Sequence, residues 1–196
     1  MPASLRRALT PLAVAALGIA VLAGCTPEAD PGPEPTGPNP GVDPSGEPAP
    51  SLTAQPQGTP VDIPCGDLVS AQTIYDFNPN FVLIDGFQPK DDTVAATALA
   101  YDGVACRWQN QTSGESIDLS VASLDEDSLT ALKNAAFEDS EMVPTYGEEA
   151  YFGINGQVGI AQVFQGPYWI VAESPAFFEP GDAAVVVDSA IAALTS

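Results

Sequence analysis

Histidine is absent from this chain, and only five of its 196 residues are lysine or arginine. The first absence removes the side chain that most often serves as general base near neutral pH. It also removes a common metal ligand, and three cysteines alone fall short of the four ligands of a structural zinc site. Neither Lys90 nor Lys133 follows a serine at the Ser-x-x-Lys spacing, and no Gly-x-Ser-x-Gly elbow occurs, so the familiar nucleophile arrangements are missing too. No cofactor is expected, and the chain reads as a non-enzyme. Paired carboxylates of the kind used in glycoside hydrolysis remain, but 26 acidic residues make chance pairs inevitable. The clusters at Asp91-Asp92, Asp125-Glu126-Asp127, Glu138-Asp139 with Glu141, and Glu148-Glu149 lack the spacing of a calcium loop. With a formal charge of −21, the chain is repelled by phosphates and anionic headgroups, which argues against nucleic acid and against a polybasic membrane patch.

What the chain does have begins with an address. Arg6 and Arg7 precede an uncharged, mostly apolar run from Ala8 to Leu22, too short to span a bilayer comfortably. The run ends in Leu22-Ala23-Gly24-Cys25, which resembles the lipobox of bacterial lipoproteins, where signal peptidase II cleaves before an acylated cysteine. Residues 1–24 are therefore expected to be a signal peptide and Cys25 the lipid anchor, holding the protein on the extracytoplasmic face of the cell membrane. Two acyl chains suffice for stable anchoring at about 0.8 kcal/mol per buried methylene. After removal of Arg6 and Arg7, three basic residues face 26 acids, a mature charge of −23. Residues 25–60, rich in proline, glycine, serine, threonine and acids, cannot bury enough surface to fold and are expected to be a disordered linker. At about 3.1 Å per residue it reaches roughly 110 Å.

Residues 61–196 are expected to be a single domain, and 136 residues are enough to enclose a core. With Cys25 assigned to lipid, Cys65 and Cys106 remain as a pair, and an oxidising compartment favours a disulfide; two buried thiols or a metal pair are the alternatives. Asp67-Leu68-Val69 reads as a helical turn, Ser70 then caps a helix that Asn78-Pro79 stops, and Phe81 to Ile84 is a short strand. The stretch from Asp91 to Ala100 fits a helix or a loop. Val104, Cys106 and Trp108 alternate with Arg107 and Gln109, and Ile117, Leu119 and Val121 alternate with Asp118 and Ser120, so the two runs form a hairpin. Acids at Asp125 to Asp127 open a second helix with Leu129, Leu132, Ala136 and Phe137 as its buried stripe. Ala150, Phe152 and Ile154 lead through Asn155-Gly156 into a second hairpin, followed by a strand from Tyr168 to Glu173 and a helix after Pro180-Gly181-Asp182. The expected fold class is α+β, an antiparallel sheet of about five or six strands covered by three helices.

Pro64-Cys65 with Leu68, then Cys106-Arg107-Trp108 on a strand, then Gly147-Glu148-Glu149-Ala150, resemble a family of actinobacterial secreted lipoproteins that carries no agreed activity. The resemblance implies a PsbP-like α/β/α sandwich over residues 61 to 195 and says nothing of chemistry.

Function is then expected to be that of a non-enzymatic binding or interaction module at the cell envelope. The alternatives are a carrier or sensor of a small envelope ligand, or a carboxylate-dependent hydrolase. Tyr151, Tyr168, Trp169 and Arg107 are the candidate ligand-binding residues. Tyr168 and Trp169 are neighbours on a strand and face opposite ways, so one of them beside Tyr151 stacks on a sugar or a partner side chain, unless a helix covers that face. Arg107 pairs with nearby acids or contacts a ligand. The expected partners are the membrane, through lipid, and an envelope protein or glycan; the domain is expected to be monomeric. Replacing Cys25 by serine is expected to move the protein from the membrane to the soluble fraction on cell fractionation, and retention equal to wild type overturns the anchor.

Overall fold

Strand residues 119–123 and 169–172 are buried consecutively, so both sides of one sheet are covered. The computed structural model describes residues 58–196; the expected signal peptide, Cys25 and the linker as far as residue 57 lie outside them. The chain enters as an extended segment already tied to the fold, with Thr59 bridging Ser123 and Val61 donating to the Asp102 carbonyl. A single helical turn, α1 (Cys65–Leu68), and α2 (Ala71–Phe77) follow. Ser70 caps α2 by accepting the Thr73 amide at 3.1 Å, as its place in the sequence predicts. Strand β1 (Phe81–Leu83) leads through a loop to α3 (Val94–Ala100), which settles the undecided stretch as loop first and helix second. Hairpin β2 (Val104–Asn110) and β3 (Ser116–Ser123) precede α4 (Glu126–Asp139), where Asp125 accepts the Ser128 amide at 2.9 Å. Then come β4 (Glu141–Met142), β5 (Glu149–Asn155), β6 (Val158–Gln165), β7 (Tyr168–Ser174) and α5 (Pro180–Leu194).

The sheet is antiparallel throughout, in the order β1-β2-β3-β7-β6-β5-β4. Seven strands replace the expected five or six, and five helices the expected three. Strand β4 has two residues, too few for any periodicity to register, and α1 is one turn long. The α+β class stands. Asn155-Gly156 makes the β5–β6 turn, with Gly156 at φ +64°, a conformation that costs glycine nothing.

Two cores result, one on each side. On the first face Cys106, Trp108, Ile117, Leu119, Val121, Phe152, Val163 and Ile170 pack beneath α1, α2 and α5. Helix α5 contributes Val186 and Val187, both fully buried and each worth about 1.5–3 kcal/mol. Its start is a capping box, Glu179 with Asp182, and its Ser189 hydroxyl donates to the Leu68 carbonyl and so joins it to α1. On the second face Ala122, Tyr151, Phe164, Trp169 and Val171 lie under Ala98 of α3 and Leu129 and Ala136 of α4. Phe137 departs from its expected place: it leans edge-on against the Tyr151 ring while 66 % exposed, because Leu129 and Ala136 suffice to seat α4. Ile154, in phase with the buried Ala150 and Phe152, is 60 % exposed at the hairpin end. Among the described residues no helix is long and apolar enough to cross a membrane.

Cys65 and Cys106 form a disulfide across 41 residues, joining α1 to the strand that carries Trp108. Loop-closure entropy assigns a bridge of this span about 4 kcal/mol. The double substitution Cys65→Ala, Cys106→Ala is expected to lower unfolding free energy by about that amount in denaturant titration. A midpoint unchanged from wild type contradicts it.

Candidate functional site

Helices α3 and α4 cover the second face at one end, near Trp169 and Tyr151, and leave the other end to a loop. The side chains that alternate outward there come from four adjacent strands in register: Arg107 on β2 opposite Asp118 on β3, Asp118 opposite Glu173 on β7, Glu173 opposite Ile160 on β6. They form a row, plus, minus, minus and apolar, across the floor of a cleft of about 560 Å³. Ser116 and Val158 extend the floor, and residues Phe87 to Ala95 wall it.

The wall is held by short-range chemistry. Thr93 accepts the Ala96 amide as the cap of α3 and donates to the Lys90 carbonyl at 2.7 Å, so one hydroxyl knots the loop to the helix. Gly103, just after α3, allows the close approach that brings that helix onto the sheet: a Cβ there would lie 2.2 Å from the Val121 carbonyl oxygen.

Arg107 is paired with Asp118. Its Nε and one terminal nitrogen donate to the two Asp118 oxygens at 2.6 and 2.5 Å, a bidentate pair, and the Phe87 ring lies 4.1 Å from the guanidinium carbon. The hydrogen bond with Asp118 holds Arg107 more firmly charged than usual. Glu173 has no such partner. It is half-buried, and among the described residues no donor hydrogen-bonds to it. Burial, and secondarily the Asp118 charge, push its carboxyl above the ordinary range, with Arg107 opposing. Lys90 stands exposed at the rim and makes no ion pair among the described residues. Two buried hydroxyls, Ser120 and Tyr146, lack hydrogen-bond partners among the described residues, and neither lines the cleft.

Of the candidate ligand-binding residues, Arg107 alone borders the cleft. Tyr151 and Trp169 do share a face, but helices close it: each is 3 % exposed. The Tyr151 hydroxyl donates to Glu149 at 2.8 Å, and Trp169 Nε1 donates to Gln162 at 3.3 Å. Glu149 in turn pairs with Lys133 at 2.9 Å, which holds its carboxyl below the usual range. Tyr168 packs half-buried against the first core. Sequence reasoning passed over Glu173 and Phe87. Alternation along β7 opposite to Ile170 and Ala172 puts Glu173 on the Arg107 side, but only once the β3–β7 register is known.

The cleft is not isolated. Asn155 and Ile160 also border a neighbouring depression that reaches Asp139 and Ser140 at the end of α4. Beyond Gly153 and Ile154 a third, more apolar groove runs to Phe178, which is 76 % exposed, and is edged by Asp139, Glu141 and Glu179. Among the described residues no group of three or more acids or cysteines is arranged to hold a metal ion. Comparison of the chain with protein-family models, with curated proteins and with solved structures finds no match.

The raised carboxyl of Glu173 has a defined sign. Below the ordinary glutamate range both folded and unfolded chains hold this proton; as pH rises past that range the unfolded chain releases it first, and its ionisation in the fold then opposes stability. Glu173→Gln is therefore expected to match wild type in thermal melts near pH 3 and to exceed it by about 1–2 °C at pH 7. A lower melting temperature for the variant at pH 7 contradicts the assignment.

Proposed function

We propose that the chain is a lipid-anchored protein of the extracytoplasmic face of the cell membrane, whose domain is a non-enzymatic binding module taking its ligand in the cleft over Arg107, Asp118 and Glu173. The observation that carries the reading is the cleft itself: an open concavity with a charged row on its floor and walls that mix apolar Phe87, Pro89, Val94 and Ala95 with polar side chains. The exposed apolar groove ending at Phe178 adds a surface of the kind that partners cover. The proposed PsbP-like sandwich rests on the antiparallel sheet lying between two helix layers.

A carrier enclosing its cargo among Tyr151 and Trp169 is disfavoured, since both pack as core. The hydrolase reading has one observation in its favour, the in-register neighbours Asp118 and Glu173. Both Asp118 oxygens already accept from Arg107, however, and the remaining acid of the cleft, Asp92, stands exposed on the loop.

Val94 lines the cleft, and Val94→Trp fills it. In a thermal-shift screen of alkylamines, sugars and amino acids on the mature Cys25→Ser chain, at least one compound is expected to stabilise wild type and to act more weakly on Val94→Trp. Equal stabilisation of both proteins overturns the site, and turnover of a glycoside that Glu173→Gln abolishes replaces binding with catalysis.

A further inference from the structure

Resting on the reading of the cleft as a ligand site, we infer that its ligand is an aliphatic primary amine, the ammonium paired with Glu173 and the alkyl chain along Val94, Val158 and Ile160. The charge on the floor decides the sign. Arg107 and Asp118 neutralise one another in a bidentate pair, and the guanidinium lies over one face of Phe87, so the net charge left on the floor is that of Glu173. What remains is one half-buried carboxylate without a donor from the described residues, facing an open cleft. An anion placed there meets Glu173 with no free cation except the exposed Lys90 at the rim. A divalent metal needs several oxygen ligands, both Asp118 oxygens are taken by Arg107, and among the described residues no group of three or more acids is arranged to hold one. An ammonium supplies three donors and one positive charge, the complement of an unpartnered carboxylate. The flanking Val94, Val158 and Ile160 then suit a hydrocarbon chain and not a fully hydroxylated ligand. The strongly acidic mature chain draws cations toward the domain from a distance.

The same chemistry is found in a free alkylamine and in a lysine-type side chain of a peptide, and two probes separate them. Pentylamine and Nα-acetyl-lysine N-methylamide are titrated into the ¹⁵N-labelled mature Cys25→Ser chain, with pentan-1-ol and pentanoate as uncharged and anionic controls. At pH 7, pentylamine is expected to shift the amides of Glu173, Ile160 and Val94 saturably, and to bind at least about tenfold more tightly than either control. Glu173→Gln, which keeps shape and removes charge, is expected to weaken it by about tenfold or more, while Glu138→Gln, an exposed acid outside the cleft, leaves it unchanged. Affinity is expected to fall as acidification protonates Glu173, which is faced by Arg107 and Asp118 across the sheet and by Lys90 and Asp92 from the loop, with uncharged Ile160 on β6. Equal affinity for the lysine derivative identifies a peptide source; binding of pentylamine alone identifies a free amine. Controls that bind in the cleft as tightly as the amine, or an amine affinity untouched by Glu173→Gln, overturn the ligand class and leave the cleft standing. Shifts of no cleft amide with any probe overturn both.

Discussion

Burial of one sheet on both faces is the constraint on which the rest of this structure depends. Strand β7 lies between β3 and β6 and is buried on either side from Trp169 to Ala172, so its alternation is apolar in both phases. Such a sheet requires two helix layers. Helices α1, α2 and α5 make the first, and the shorter α3 with α4 makes the second. The second layer does not reach the whole sheet, and polar side chains occupy the floor where it stops. The cleft over Arg107, Asp118 and Glu173 is thus a consequence of incomplete coverage, filled with charge because hydrocarbon there would be exposed to water.

Scarcity of cations shapes the same face. Lys90, Arg107 and Lys133 are the basic residues of the described region, and two of them lie on the second face beside both an acid and an aromatic ring. Arg107 joins Asp118 and Phe87; Lys133 joins Glu149 and lies 5.6 Å from the Phe164 ring centroid. Each is a local solution to placing charge near a core, since the ring covers one side of the cation while the carboxylate supplies its hydrogen bonds. Glu173 has no equivalent, and its position between two finished arrangements is what distinguishes it chemically from the other acids near the cleft.

Much of the fold was legible along the chain because its signals are local. Ser70 and Asp125 as caps, Asn155-Gly156 as a turn, and the alternation of Cys106 and Trp108 against Arg107 all act within a few residues, and each appears where that reading puts it. The pairing of Cys65 with Cys106, expected from counting cysteines with Cys25 set aside, is present. Less legible were β4, too short to show a period, and the stretch from Asp91 to Ala100, where alanine favours a helix but a loop must first carry the chain across the sheet. The aromatic candidates show the limit of pattern: alternation placed Trp169 opposite to Tyr168, but which side would be covered depends on where α4 docks.

The sequence by itself determined the class of fold, the order of its longer elements, the candidate cysteine pair and the sign of its charge, since composition and short-range spacing carry each of these. Only the tertiary structure decided that Asp118 and Glu173 would be neighbours. Strands β3 and β7 are separated in the chain by α4 and two further strand pairings, and their register is set by the packing of both faces at once. It likewise decided that Tyr151 and Trp169 would be core and Arg107 a cleft residue, because alternation assigns a side chain to a face and only the docking of helices says which part of that face stays open.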